Sequence, residues 1–81
     1  MGHVQRIKPK NKSGALLRAA RLEKGLTLKE AAARIGRSAG TLAKWERDGV
    51  GPMVSIAPVM DACTLYDLDA DALFLMATQE A

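Results

Sequence analysis

Thr27-Leu28-Lys29-Glu30-Ala31-Ala32-Ala33-Arg34-Ile35-Gly36-Arg37-Ser38-Ala39-Gly40-Thr41-Leu42-Ala43-Lys44-Trp45-Glu46-Arg47 is the stretch that decides the fold. Thr27 and Glu30 stand three apart, the spacing at which each side chain bonds the other's backbone N–H at a helix start. Leu28, Ala31, Ala32 and Ile35 then recur on one helical face, which predicts a helix over 28–35. Gly36 breaks it. Ser38 is placed to cap a further helix over 39–47, in which Leu42 and Trp45 point together. A helix that enters the DNA major groove needs a first turn free of bulky core residues and large apolar anchors behind it. Ala39, Gly40, Thr41 and Lys44 leave the outward face open, while Leu42 and Trp45 supply the anchors.

On the N-terminal side, Ser13 is read as the N-cap of a helix running to Lys24, with Leu16, Leu17, Ala19 and Ala20 as its apolar stripe and Gly25 at the left-handed stop. On the C-terminal side, Asp48, Gly49 and the Val50-Gly51-Pro52 turn end the third helix. Ser55 is read as the cap of a fourth, which tolerates Pro58 in its first turn and carries Val59, Met60, Cys63 and Tyr66 on its apolar face. Asp69 caps a fifth helix, from Ala70 to about Thr78, that has almost no polar face. No alternating strand pattern and no internal repeat occurs. The expected fold is all-α, a compact bundle of five short helices. It divides into residues 1–12, a flexible basic arm, and residues 13–81, a helix-turn-helix DNA-binding domain that ends in a dimerisation helix.

Charge is split along the 81 residues. All twelve Lys and Arg lie between Arg6 and Arg47, opposed there by only Glu23, Glu30 and Glu46, a formal +9. From Asp48 onward there is no cation and the formal charge is −6. A basic pole suits a polyanion, since each neutralised phosphate releases counterions. No apolar run reaches the roughly 18 residues of a membrane span, and Met1 to Lys12 lacks the apolar stretch of a secretory signal. The expectation is a cytoplasmic, nucleoid-associated protein of bacterial or phage origin. His3 is isolated and Cys63 is the only cysteine, so neither a nucleophile–base pair, a disulfide framework nor a metal site is expected. No enzyme activity, cofactor, small-molecule ligand or membrane partner is expected either.

The ordered set Arg21-x-x-x-Gly25-Leu26-Thr27, Glu30-Ala31-Ala32-x-x-Ile35-Gly36-x-Ser38 and Leu42-x-x-Trp45-Glu46-x-x-Gly49-x-x-Pro52 resembles the phage-repressor and Cro-like (lambda-repressor-like) helix-turn-helix family. The resemblance spans about Ser13 to Leu73. It implies a five-helix fold, double-stranded DNA as partner, a homodimer and regulation of transcription. It further implies that Arg21 and Glu46 form a structural ion pair between helices 1 and 3, and that Ser38 lies near phosphate. Two departures stand out. Leu28 replaces the family's frequent glutamine at the start of helix 2, and Ala39 and Gly40 stand where base-reading amides are common. Base readout is therefore assigned to Ala39, Gly40, Thr41, Lys44 and Arg47, with Thr41, Lys44 and Arg47 carrying most of it. Lys29, Arg37 and Ser38 are assigned to phosphate, as are Arg6, Lys8, Lys10 and Lys12 of the arm.

Leu73, Phe74, Leu75 and Met76 are assigned to dimerisation, because a chain this short cannot bury both sides of such a helix. The function expected is sequence-specific repression by a homodimer on a pseudo-palindromic operator. The alternative is an antitoxin-type or other interaction module that uses the apolar C-terminal helix on a different protein.

Overall fold

In a computed structural model, which describes residues 12–52 and 54–78, the Thr27 hydroxyl accepts the Glu30 amide at 3.0 Å and the Glu30 carboxylate accepts the Thr27 amide at 2.9 Å. Both halves of the capping box form, and the bonds from Thr27 hold the Glu30 carboxyl below the usual carboxylate range. From this point the chain builds α1 (Ser13–Glu23), α2 (Leu28–Ile35), α3 (Ala39–Asp48), α4 (Ile56–Tyr66) and α5 (Ala70–Ala77), with no strand among the described residues. The all-α, five-helix expectation is met. Of the basic arm, residues 1–11 lie outside the described residues, and Lys12 is exposed at the N-cap of α1.

The first two helix stops share one geometry. Gly25 (φ 70°) and Gly36 (φ 79°) adopt the left-handed conformation that side chains resist. Behind them Leu26 N–H reaches back to the Arg21 carbonyl and Arg37 N–H to that of Ala32. Asp67 closes α4 in the same way at φ 55°, with Leu68 N–H on the Cys63 carbonyl. Its carboxylate, bonded to Lys24 at the end of α1, is held below the ordinary aspartate range by that ammonium.

The core gathers Leu17 from α1, Ala31 and Ala32 from α2, and Leu42 and Trp45 from α3. Val50, then Val59, Ala62, Cys63 and Tyr66 of α4, and Leu73 of α5 complete it. Each large apolar side chain so buried stabilises by about 1.5–3 kcal/mol before ordering entropy is set against it. α1 lies against α3, α4 and α5, and α2 against α3 and α4. Burial pushes the Tyr66 phenol up to about 12, and burial likewise raises the Cys63 thiol, which packs as a small hydrophobe.

Five sequence expectations are corrected. Ser13 is not an N-cap but the first residue of α1, and its buried hydroxyl accepts the Val50 amide at 2.7 Å. Ser55 occupies the N-cap position of α4 without a side-chain capping bond. Met60 is 42% exposed, and Ala62 takes the inward position on α4. Leu73 is buried in the chain's own core, so it is closed to a partner; Leu75 is 60% exposed, and Phe74 and Met76 are half-buried. Ala19, read as part of the α1 stripe, is also exposed.

Candidate nucleic-acid interface

α3 is held from three sides. Leu42 and Trp45 fill the core behind it, and the small Ala31 and Ala32 let α2 close on it. At its start the Ser38 hydroxyl accepts the Thr41 amide at 3.1 Å and shares a 2.9 Å bond with the Thr41 hydroxyl. At its far end α1 makes backbone-level contact. A Cβ on Gly14 would stand 2.5 Å from the Glu46 carbonyl oxygen and 2.8 Å from that of Trp45, so only glycine permits the approach.

A further support is ionic. Arg21 donates from Nε to Glu46 Oε2 at 2.7 Å and from Nη2 to Oε1 at 3.0 Å. Its Nη1 donates to the Leu26 carbonyl at 2.7 Å. One guanidinium thus ties α1, the α1–α2 turn and α3 together. The side chains are only 7% and 9% exposed, and Arg21 is held more basic than usual by its bonds to Glu46, against the opposing effect of burial. A buried pair of this kind fixes geometry more reliably than it adds stability.

The assigned base-reading residues all fall on this supported helix. Gly40, Lys44 and Arg47 are exposed along one stripe, while Ala39 and Thr41 are half-buried beside them. Thr41 and Lys44 line an open cleft of about 630 Å³ with Arg37 and Asp48; Gly51, Pro52, Ser55 and Pro58 form its opposite wall. Arg37 and Lys29 are exposed, and Ser38 is exposed while capping α3. Arg6, Lys8 and Lys10 lie outside the described residues. Lys12 is exposed at the start of α1.

Two participants escaped the sequence reading. Asp48, read only as a helix stop, lines this cleft, and its carboxylate accepts from Arg47 Nε and Nη2 at 3.1 and 3.2 Å. The loop after α3, read only as a turn, supplies the second wall. The 41, 44, 48 spacing was a legible signal that Asp48 shares the face of Thr41 and Lys44.

Residues 14–74 match the family model described as a helix-turn-helix domain. Among solved structures, that of the clp gene regulator ClgR from Corynebacterium glutamicum aligns at TM-score 0.68 and 26% identity, covering 95% of this chain and 94% of that one. A second crystal structure of that regulator aligns at TM-score 0.67 and 31% identity, covering 80% of this chain and 67% of the other. No curated protein sequence matches the chain.

Proposed function

Because the chain belongs to the helix-turn-helix domain family, a DNA-binding and non-enzymatic one, we propose that it is a repressor that binds a pseudo-palindromic operator as a homodimer. The observation that carries the reading is the outward face of α3: exposed Gly40, Lys44 and Arg47 on a helix held by Trp45, Leu42 and the Arg21–Glu46 bridge. Thr41, Lys44 and Arg47 take the base edges, with Ala39 and Gly40 allowing close approach; Lys29, Arg37 and Ser38 take phosphates. Arg6, Lys8, Lys10 and Lys12 add arm contacts, each steepening the logarithmic salt slope by about 0.9. The resemblance to a regulator of clp genes supports gene regulation as the role and leaves the target genes to be found. The protein acts where DNA is, at the nucleoid, and represses by covering promoter DNA.

Leu75 and Met76 on α5 are the proposed dimer contacts. Ile56, 64% exposed, borders an apolar groove lined by Val50, Val54, Phe74 and Ala77 that extends this surface. A two-fold dimer places its recognition helices about 34 Å apart, one DNA turn. Hydroxyl-radical footprinting on an operator enriched from random duplex tests the arrangement. Two protected half-sites one turn apart support it, and a single half-site with a monomer in sedimentation contradicts it. The same exposed apolar surface favours a second reading, an antitoxin-type module covered by a different protein; a monomer that binds no duplex would favour that reading.

A further inference from the structure

Asp48 is an acidic residue where two effects disfavour one. It is the last residue of α3, where the helix carbonyls already carry partial negative charge. It also lines the cleft beside Arg37, Thr41 and Lys44, where a carboxylate repels phosphate. Its ion pair to an Arg47 side chain 61% exposed adds little stability by itself. Nor does helical spacing impose the pair, because adjacent residues on a helix do not face each other.

Resting on the regulator reading above, we propose that Asp48 sets base specificity by holding Arg47 for a guanine. The carboxylate takes the Nε–Nη2 edge of the guanidinium, at 3.1 and 3.2 Å. The end-on fork, made by Nη1–H and the second Nη2–H, is left to donate. That fork matches guanine O6 and N7, the commonest specific arginine contact. Fixing the guanidinium before binding removes rotamer freedom that would otherwise be lost on the DNA, and the paired carboxylate is screened from phosphate. Asp48 is thus a positioning residue and Arg47 the reader.

The test is selection from a random duplex pool by the full chain and by Asp48→Asn, Arg47→Lys and Arg47→Ala, followed by affinities for the winning duplex and its single-base variants. Thermal melts of each variant check folding. The expected result is one base pair at which the wild type prefers guanine by about tenfold or more. All three variants lose that preference while keeping the rest of the motif, and adding Asp48→Asn to Arg47→Ala changes nothing further. Arg47→Lys does so with its charge intact, which a merely structural or electrostatic role would not produce. If Asp48→Asn selects the wild-type motif, bound equally or more tightly at every sequence, the proposal is overturned and the regulator reading stands. A wild type with no preference at any base pair overturns the regulator reading itself.

Discussion

Ser13 and Val50 lie 37 residues apart, and the hydroxyl of the first accepts the backbone N–H of the second at 2.7 Å in the protein interior. The bond joins the start of α1 to the segment just beyond α3. Removing the oxygen by Ser13→Ala costs the Val50 amide this acceptor, and loss of a buried acceptor is worth about 1–3 kcal/mol. A local N-cap on an exposed helix start would be worth about 1 kcal/mol and would leave Val50 untouched. Urea unfolding gives the size, and amide exchange at Val50 gives the place. Unchanged exchange at Val50 would contradict the assignment.

Gly14 provides a test in which propensity and packing have opposite signs. Alanine is the better helix former by about 1 kcal/mol. Its Cβ would nevertheless sit 2.5 Å from the Glu46 carbonyl oxygen, a backbone atom that cannot swing aside. Gly14→Ala is expected to destabilise by about 1–3 kcal/mol through forced separation of α1 and α3. A rise in Tm would show that the two helices do not approach so closely.

Arg21 and Glu46 are expected to be strongly non-additive. Glu46→Ala strands a guanidinium that is almost wholly buried, a change that costs about 3–5 kcal/mol. The double variant Arg21→Met/Glu46→Leu removes both charges and is expected to be more stable than the Glu46→Ala single variant. A double-mutant cycle in urea measures the coupling. Additive losses would mean that the two side chains do not act as one unit.

Tyr66 ties stability to alkaline pH. Its phenol is pushed up to about 12 by burial and by the neighbouring Glu46 carboxylate, from an ordinary value of 10. The folded chain therefore keeps this proton after the unfolded chain has lost it. The contribution is whole below about pH 10 and is lost as pH rises toward 12, at roughly 1.4 kcal/mol per unit of displacement. Absorbance at 295 nm should show ionisation coinciding with unfolding, and Tyr66→Phe should flatten the decline. Free titration near pH 10 in a folded chain would contradict the burial.

How much was legible in the sequence followed from how local each determinant is. α2 runs from Leu28 to Ile35, the predicted span, because the capping box and Gly36 act within a few residues of its ends. The Leu42 and Trp45 anchors were legible for the same reason: helical period alone places them together. Ser13 was misread because a serine at a helix start satisfies a capping pattern whatever it bonds, and its partner lies beyond α3. Met60 was misplaced on α4 because the inward face, which takes Ala62 instead, is set by how α1 and α2 close on that helix. In the candidate site, α3 and its exposed residues were legible from spacing and the family resemblance. The Arg47–Asp48 bond was not, since it depends on rotamers that neither period nor motif encodes.

The most direct measurement compares the affinity of the full chain for its enriched duplex and for a scrambled duplex, by fluorescence anisotropy at about 150 mM salt. Wild type should favour the enriched duplex by roughly a thousandfold or more, the range of specific regulators. Lys44→Ala should shrink that gap while leaving scrambled binding nearly unchanged. Equal, steeply salt-dependent affinity for both duplexes, indifferent to Lys44, would contradict sequence-specific readout by α3.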